Sequence, residues 1–309
     1  MISLKSFIAG WNDFFYSKTD GEALCLFRIF FGIFLFINGI SLIPDFHAWY
    51  GVGSDSFLPI RDSFDLYSDF RINLFKVFSP TEVAAWFILL SYVVSSFMLM
   101  VGFKTRAASI ICFITLTSLQ NRNYTILNSG DTVMRCMLFL MMFTPSQVMY
   151  SVDSWLKQRR GERYDTEVSY LSIRLLQLQF TLVYLATTLF KFKGLDWVDG
   201  TAIYYTARLE NFQRIPLPIL FDYAILVKTL TWGTLFIEFA MGTLIWVKEL
   251  RKWVLLLGIT LHIGIEVTMS IGIFEWVMMC SYLLFLEKEE ISYLKRFIPQ
   301  FRFFKLQRA

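Results

Sequence analysis

Long runs of apolar residues, separated by short polar segments, dominate the pattern of hydrophobic and polar positions along this chain. A helix that crosses a bilayer needs about 20 predominantly apolar residues, and these runs approach or reach that length. The pattern predicts an all-α fold, a polytopic integral membrane helical bundle of about eight transmembrane helices with short outer-face helices. The predicted spans are residues 24–43, 82–102, 107–120, 132–149, 172–191, 225–247, 253–270 and 272–287.

The segments around the spans complete a single predicted transmembrane domain over residues 1–309. Residues 1–23 mix large apolar side chains with charges, which is typical of an amphipathic segment in the membrane interface. The polar and aromatic segment 44–80 is expected to hold the short outer-face helices. The tail 288–309 combines basic and aromatic residues and is expected to lie on anionic lipid.

The distribution of basic residues predicts the orientation in the membrane. With eight spans, one side of the membrane collects most of the lysine and arginine of the loops, and the positive-inside rule makes that side cytoplasmic. We therefore expect a multi-pass protein of the cell inner membrane, with both termini cytoplasmic and Lys191 at the outer face. The basic residues concerned are Lys104, Arg106, the 157–163 cluster, Lys248, Arg251, Lys252 and those of the tail.

Composition narrows the function classes. The chain is 56% hydrophobic and 18% aromatic, which indicates the lipid bilayer as its surroundings, and its net charge of +4 does not indicate nucleic-acid binding. The four cysteines have no CxxC spacing, so we expect buried free thiols. With two histidines in the whole chain, no metal site is expected.

The apolar run 175–190 ends directly in Lys191, Lys193 and Asp196. A lysine at the mouth of a spanning helix can be an anchor whose ammonium reaches the lipid headgroups. Alternatively, Lys191 faces the protein interior, where a less polar medium favours the neutral amine and lets it act as a base. Both interpretations are open at the level of sequence.

Ionisable residues inside predicted spans are costly, so each requires a partner or a function. Glu238 lies in the middle of the sixth span, and His262 and Glu266 lie in the seventh. His262 and Glu266 are four residues apart and therefore share a helix face, where the carboxylate would orient the imidazole for acid–base chemistry. The alternative is a buried polar network that only fixes helix packing.

A polar segment, 121–131, is wedged between two apolar runs. Its side chains are candidates for binding substrate, whereas an Asp131–Arg135 pair would only stabilise the start of a helix. This segment, Lys191 and the His262 face are expected in the outer half of the membrane, where converging polar groups suit an amphipathic small molecule. The candidate substrate-binding residues here are Asn121, Arg122, Asn123, Asn128 and Asp131.

Three motifs follow one another along the chain: NRNYTILNSGD (121–131), TLFKFKGLDWVDGTAIYY (188–205) and LHIGIEVTMSIGIF (261–274). Together they resemble the HTTM family, the bacterial relatives of the membrane part of vitamin K-dependent gamma-carboxylase. In the carboxylase, the lysine shortly before an Asp-Trp-Val-x-Gly stretch deprotonates vitamin K hydroquinone. The resemblance therefore implies this role for Lys191 rather than Lys193, and implies functional roles for His262 and Asn128.

Two departures from the carboxylase bear on the chemistry that the resemblance implies. Ser129-Gly130 stands where the carboxylase has a histidine, and this chain is expected to lack the lumenal region that handles the protein substrate. The fold and the hydroquinone pocket are therefore expected to be shared more closely than the carboxylation of peptide glutamate.

The leading hypothesis is an integral membrane enzyme that uses a reduced, vitamin K-like quinone to drive an outer-face modification, either carboxylation or a related oxidation. The alternative is a non-catalytic membrane accessory protein for the maturation, export or immunity of a secreted peptide. A transporter is disfavoured because we find no inverted repeat. The assigned residues, beyond those of 121–131, are Lys191, His262 and Glu266 as catalytic, Trp197 and Tyr204 as substrate-binding, and Lys193 and Glu238 as cofactor-binding.

Overall fold

The structure is a computed structural model, and it describes residues 3–65, 71–78, 80–162, 165–216 and 222–297. Its helices are α1 (Leu4–Tyr16), α2 (Glu22–Ser41), α3 (Phe46–Tyr50), α4 (Ile60–Asp65), α5 (Leu74–Val77), α6 (Glu82–Val101), α7 (Thr105–Arg122), α8 (Ser129–Met141), α9 (Val152–Arg159), α10 (Tyr170–Lys191), α11 (Leu195–Val198), α12 (Ala202–Thr206), α13 (Ala224–Gly242), α14 (Lys248–Thr268), α15 (Phe274–Ser281) and α16 (Lys288–Phe297). Two short strands, β1 (Lys18–Asp20) and β2 (Glu167–Ser169), pair antiparallel. Short 3-10 helices cover Tyr124–Ile126, Glu210–Phe212, Leu244–Trp246 and Tyr282–Phe285.

The protein is an all-α membrane bundle, which confirms the predicted fold class. Within the described residues, α2, α6, α10 and α13 are long and apolar enough to cross a membrane, by length and composition. The other predicted spans also contain helices, namely α7, α8, α14 and α15. These four are shorter or less apolar, so the total of eight crossings stays a prediction.

The helix ends differ most from the predicted spans in two places. The fourth span was predicted to reach residue 149, but α8 ends at Met141, and Pro145 explains why the helix does not resume at once, since proline disfavours helix at and before its position. The eighth span forms α15, which passes into a 3-10 turn at Tyr282. Residues 298–309 of the predicted basic tail, and Arg163 of the 157–163 cluster, lie outside the described residues.

Contacts divide the protein into two compact units, one formed by Met1–Leu176 with Leu286–Ala309 and the other by Gln177–Phe285. The first unit contains α1 to α9, both strands, the start of α10, and α16. The second contains the rest of α10 and α11 to α15. The single domain predicted over residues 1–309 stays a prediction.

Close helix packing forms the core of the first unit, where α6 packs against both α2 and α7. A Cβ atom at Gly32 of α2 would lie 2.6 Å from the Cα atom of Met100 in α6, so glycine is required for this approach of the two backbones. Gly102 caps the end of α6, and its φ of 70° lies in the left-handed region that glycine adopts without strain.

Arg28, fully buried in α2, joins the end of α6 to the chain that follows α8. Its guanidinium donates hydrogen bonds to the carbonyl oxygens of Leu99 (3.0 Å), Met100 (3.1 Å) and Tyr150 (2.6 Å). The last carbonyls of a helix lack partners within the helix and carry partial negative charge, so a guanidinium is stabilised there. Arg28 therefore has a structural role in the first unit.

The N-terminal residues form the amphipathic helix expected of residues 1–23. α1 has a serine N-cap, Ser3, whose hydroxyl accepts a hydrogen bond from the backbone of Ser6 (3.1 Å). None of its residues is buried, and its exposed large apolar side chains suit insertion at a lipid surface. They are Leu4, Phe7, Ile8, Trp11, Phe14 and Tyr16.

Segment 44–80 forms the expected short helices, α3, α4 and α5, in its described part. His47 of α3 contacts Asp55 (Nε2 to Oδ2, 2.7 Å) and Glu82 at the start of α6 (Nδ1 to Oε2, 3.3 Å). These hydrogen bonds raise the pKa of the exposed His47 imidazole, and the one to Asp55 contributes most. Glu82 also accepts a hydrogen bond from the backbone of Val52 (2.6 Å), so it holds the chain after α3 against α6.

A cluster of polar side chains joins α16 to the start of α2. Lys295 contacts both Glu22 and the hydroxyl of Tyr150 (2.7 Å to the latter), and Tyr150 in turn donates a hydrogen bond to Glu22. Burial raises the pKa of Tyr150 to about 12 and lowers the pKa of Lys295. Lys288 adds an exposed ion pair with Asp20 at 2.9 Å.

In the second unit, glycines allow helices to approach closely. A Cβ atom at Gly242 of α13 would lie 2.7 Å from Cγ of Leu185 in α10, and one at Gly258 of α14 would lie 2.6 Å from the hydroxyl oxygen of Tyr282. α13 therefore packs tightly against α10, and the Tyr282 hydroxyl reaches the backbone of α14.

Candidate functional site

Lys191, the last residue of α10, faces the interior of the second unit. Its ammonium forms an ion pair with Glu238 of α13, and the two side chains are 20% and 10% exposed. The same ammonium lies 4.4 Å from the centroid of the Trp197 ring, a cation–π contact. Three residues that the sequence analysis named separately therefore meet, and the interior-facing alternative for Lys191 is the one observed.

The turn after α10 places Trp197 against Lys191. The backbone N–H of Gly194 donates to the carbonyl of Lys191 (2.9 Å), and the N–H of Trp197 donates to the carbonyl of Gly194 (3.1 Å). The indole N–H of Trp232 in α13 donates to the carbonyl of Val198 (3.2 Å), which fixes α11 on α13. The Gly-Leu-Asp-Trp-Val sequence thus turns the chain back over the lysine.

Two buried oxygens have no hydrogen-bond partner among the described residues: Oε2 of Glu238, a member of this pair, and Oγ1 of Thr188 on α10. Thr188 lies one helical turn before Lys191, and other threonines of α10 behave differently, since Thr181 and Thr187 donate to carbonyls of the preceding turn (3.1 and 2.6 Å). Buried polar atoms are rarely left unpaired, so these oxygens are positions where a ligand hydroxyl or water would gain a hydrogen bond.

His262 is the centre of a second buried polar group. Its Nδ1 contacts the carboxylate of Glu275 in α15, and its Nε2 lies 2.5 Å from the hydroxyl of Tyr184 in α10. The hydroxyl of Tyr282 lies 3.4 Å from that of Tyr184. A carboxylate, an imidazole and two phenols are thus linked within the second unit, an arrangement that orients the ring and can exchange a proton.

The expectation that Glu266 orients His262 is wrong. Both ring nitrogens of His262 face other partners, and Glu266, although one turn along α14, forms an ion pair with Arg214 at 2.8 Å. Sharing a helix face brings two side chains near each other, but the packing of α10 and α15 decides which one the imidazole meets. The carboxylate that does so is Glu275.

Tyr184, Thr188 and Glu275 were not identified from the sequence. Each had a usable signal: Tyr184 and Thr188 lie seven and three residues before Lys191 and therefore share its helix face. Glu275 is an acidic residue inside the apolar run that was predicted as the eighth span.

Lys193 and Tyr204, both assigned to binding, lie on the exposed part of the second unit. The Lys193 ammonium lies 5.3 Å from the centroid of the Phe190 ring, and its side chain is exposed. The Arg208 guanidinium lies 3.7 Å from the centroid of the Tyr204 ring. Their assignments stay predictions.

The polar segment 121–131 belongs to the first unit, and Asn128 and Asp131 begin α8 there. The Asn128 side chain accepts hydrogen bonds from the backbone of Gly130 (2.7 Å) and Asp131 (3.2 Å), and the Asp131 carboxylate accepts one from the backbone of Asn128 (2.9 Å). This is a capping box, which satisfies orphan N–H groups of the helix start. Both side chains therefore stabilise local structure.

Asn121 and Asn123 fix the end of α7 against segment 44–80. The Asn121 side chain donates to the carbonyl of Ile72 (2.8 Å), and that of Asn123 donates to the carbonyl of Trp49 (2.9 Å). Their role in substrate binding is untested. So is the predicted convergence of 121–131 with Lys191 and His262, since the segment lies in one unit and those residues in the other.

Arg122 is fully buried between these asparagines. Its Nη2 donates to the carbonyls of Gly51 and Leu58, the latter at 2.7 Å. Nε and Nη1 have no hydrogen-bond partner among the described residues.

Comparison with known proteins decides the family. The model of the HTTM domain matches residues 16–289, which is most of the chain. The chain belongs to the HTTM family. This confirms the resemblance carried by the three motifs.

Two relatives from Bacillus subtilis share part of their length with this HTTM protein. The uncharacterized protein YitO is 23% identical over 201 residues, which are 61% of this chain and 63% of YitO. The sporulation-delaying protein SdpB is 25% identical over 199 residues, which are 61% of this chain and 60% of SdpB. The matches thus span less than two thirds of each relative, and no solved structure matches the chain.

Proposed function

We propose that this HTTM protein is an inner-membrane enzyme in which Lys191 acts as a base toward a bound quinol, driving a carboxylation or related oxidation at the outer face. One observation supports this above all. Lys191 is paired with a buried glutamate, Glu238, whose second oxygen has no partner among the described residues. A site that offers a base next to an unused acceptor is suited to a substrate with an acidic hydroxyl.

The residues around Lys191 fit a quinol. Oε2 of Glu238 and Oγ1 of Thr188 can accept hydrogen bonds from its hydroxyl groups, and the Trp197 ring offers an aromatic surface. When bound, a quinol supplies an acidic hydroxyl and reducing electrons. Glu238, Thr188 and Trp197 would hold it, with Lys191 beside its hydroxyl.

In this proposal, the Lys191–Glu238 pair supplies the atom that accepts the proton of the quinol. With the shared proton on Glu238, the pair is neutral overall and the Nζ atom of Lys191 has a lone pair that can take up a proton. With that proton on Lys191, Oε2 of Glu238 is the acceptor. Both forms place a basic atom in a low-polarity site, which strengthens each hydrogen bond made there.

The His262 group would complete the proton path within the second unit. Glu275 holds the imidazole through Nδ1, so Nε2 is presented to the hydroxyl of Tyr184. Tyr184 lies two helical turns before Lys191 on α10, on the same face. His262 is therefore assigned the role of storing or passing on the proton that Lys191 removes.

Binding and oxygen uptake test this proposal. We would titrate purified protein with a reduced naphthoquinone and a ubiquinol analogue, and measure quenching of tryptophan fluorescence and consumption of oxygen. The wild type is expected to bind saturably and consume oxygen, and Lys191→Ala to lose uptake by about 100-fold or more, the typical contribution of a positioned base. Lys228→Ala, which removes an exposed lysine of α13 in the same unit, is the matched control and is expected to retain uptake.

Retention of oxygen uptake in both Lys191→Ala and Lys191→Arg would rule out the catalytic lysine. Absence of binding of either compound by the wild type would leave the family fold without the quinol chemistry. A loss of uptake in Lys228→Ala equal to that in Lys191→Ala would indicate a general charge effect instead of a specific base.

A second candidate is a non-catalytic membrane accessory protein for the maturation, export or immunity of a secreted peptide. The similarity to SdpB favours this candidate, because the name of that relative describes a biological effect, a delay of sporulation, and names no enzymatic reaction. The Lys191–Glu238 pair would then hold α10 against α13. Lys191→Ala would reduce stability and leave the biological effect proportional to the amount of folded protein.

A further inference from the structure

Arg122 is a buried cation whose charge is not matched by the residues that contact it. Its side chain is 0% exposed, and its two hydrogen bonds, both from Nη2, are to neutral backbone carbonyls. Among the described residues no carboxylate lies within ion-pair distance of the guanidinium. Burying a charge without a counter-charge costs roughly several kcal/mol of stability, even after the surrounding protein has relaxed.

The acidic side chain that interacts with Arg122 electrostatically, Glu82, directs its carboxylate to other partners. These are the backbone of Val52 (2.6 Å) and His47 (3.3 Å). Ser63 and Asn123, which flank the end of α7, are neutral; the Ser63 hydroxyl donates to the Arg122 carbonyl (2.6 Å). The guanidinium thus lacks a contacting counter-charge.

Arg28 shows what a structural buried arginine looks like in the same unit. It is equally buried, but both of its terminal nitrogens donate to carbonyls: those of Leu99 and Met100 at the negative end of α6, and that of Tyr150. Nε is unpaired in both arginines, but in Arg122 the terminal nitrogen Nη1 is unpaired as well. The N–H groups on Nε and Nη1 of Arg122 are therefore available to a ligand.

We propose that Arg122 binds a small monocarboxylate. A ligand carboxylate neutralises the single charge and accepts hydrogen bonds from Nε and Nη1, which converts a costly buried cation into a charge-assisted pair. A dianion such as phosphate would replace an excess positive charge by an excess negative one, next to Glu82. The site is built from the first unit and does not depend on Lys191.

The segment 52–57 joins Gly51 and Leu58, the residues whose carbonyls accept hydrogen bonds from Arg122. It is held by exposed contacts, including that of His47 with Asp55, which are worth little in water. Entry of a carboxylate therefore requires a local movement of one short segment.

Ligand-observed NMR tests the site directly. We would measure saturation transfer from the purified protein to the methyl group of acetate, with acetamide as a neutral probe of the same shape. Saturable transfer to acetate and none to acetamide is expected for the wild type. Arg122→Gln is expected to weaken acetate binding by about tenfold or more, a change of about 1.4 kcal/mol.

Arg28→Gln is the matched control, since it removes an equally buried guanidinium from the same unit; it is expected to lower the melting temperature and to keep acetate binding. If Arg122→Gln does not fold, Arg122→Lys keeps the charge while removing the fork of donors, and weaker binding is expected again. Absence of saturable acetate binding in the wild type, equal transfer to acetamide, or unchanged binding in a folded Arg122 variant would each overturn the proposal. Lys191→Ala is expected to bind acetate normally, so this result and that of the quinol experiment are independent.

Discussion

Buried carboxylates are tolerated in an apolar bundle when a partner takes up their charge, and both buried glutamates of the second unit have one. Glu238 contacts Lys191, and Glu275 contacts His262. Replacing one member of such a pair leaves the other charged and unpaired, which typically costs about 3–5 kcal/mol, whereas replacing both by apolar residues is often neutral. Comparing the single and double replacements therefore tests whether such a pair is needed for stability or for chemistry.

We expect Lys191→Met to lower the melting temperature of the purified protein and Lys191→Met with Glu238→Met to restore most of it. Lys191→Met alone is expected to lower the free energy of unfolding by about 3 kcal/mol. Thermal unfolding in detergent, followed by circular dichroism, measures both. Restored stability together with lost oxygen uptake in the double variant would assign the pair to chemistry; a double variant that stays as unstable as the single one would contradict the pair argument.

At the residue scale we also expect Glu275→Gln to affect the His262 group more than Glu266→Gln does. Glu275 is 1% exposed and contacts the imidazole, whereas Glu266 contacts Arg214. Removing the carboxylate takes away the group that contacts Nδ1, so the imidazole loses the contact that orients it. NMR chemical shifts of labelled histidine at one fixed pH compare the two variants, and an equal change in both would contradict the observed pairing.

The glycines in the helices of the second unit differ in whether close packing requires them. Gly242 of α13 lies against Leu185, where a Cβ atom would approach Cγ to 2.7 Å, while nothing lies within 4 Å of a Cβ atom at Gly233 in the same helix. One helix thus contains both a glycine that packing requires and one that packing does not.

Gly242→Ala is expected to destabilise the protein by about 1–3 kcal/mol, because the extra methyl group overpacks the contact with α10. Gly233→Ala is the matched control and is expected to be neutral or to stabilise by up to about 1 kcal/mol, the helix preference of alanine over glycine. Melting temperatures of the two variants decide the matter. Equal effects would show that α10 and α13 do not meet at Gly242.

The short outer helices should respond to pH through His47. Its hydrogen bonds to Asp55 and Glu82 raise its pKa above the ordinary 6.5, so they favour the folded protein fully below about pH 6.5 and lose that contribution as pH rises through the folded value. The difference in melting temperature between the wild type and His47→Gln should therefore shrink from pH 5.5 to 8.5. Asp55→Asn should reproduce the effect, and a difference that grows with pH would contradict it.

At the scale of the whole molecule, the HTTM match covers residues 16–289 and so extends through both compact units. The orientation of the molecule in the membrane is a prediction of the positive-inside rule alone. It therefore needs its own experiment.

Single cysteines at two exposed positions test the orientation. We expect Ser54→Cys, in the outer segment, to react with a membrane-impermeant maleimide in intact cells, and Lys157→Cys, in α9, to react only after the membrane is opened. The wild type is the background control, because Cys25, Cys112 and Cys280 are buried. The reverse labelling pattern would place the termini outside.

The sequence by itself determined the class of the protein. Runs of about 20 apolar residues can satisfy their backbone polar groups in lipid only as helices, so the all-α membrane bundle follows from hydropathy, a local property. The motifs around Lys191 likewise indicated the HTTM family before any contact was known. The sequence did not distinguish helix caps from site residues. Asn128 and Asp131 were predicted to bind substrate, but they form a capping box at the start of α8.

Only the tertiary structure decided which side chains meet. Glu238 and Lys191 are 47 residues apart, His262 meets Glu275 and not its neighbour Glu266, and the unpaired nitrogens of Arg122 are visible only once its partners are known. Partner choice depends on how each helix is rotated and packed, and glycines such as Gly242 set how closely helices approach. Spacing along one chain specifies a face of a helix, whereas a site requires the faces of several helices at once.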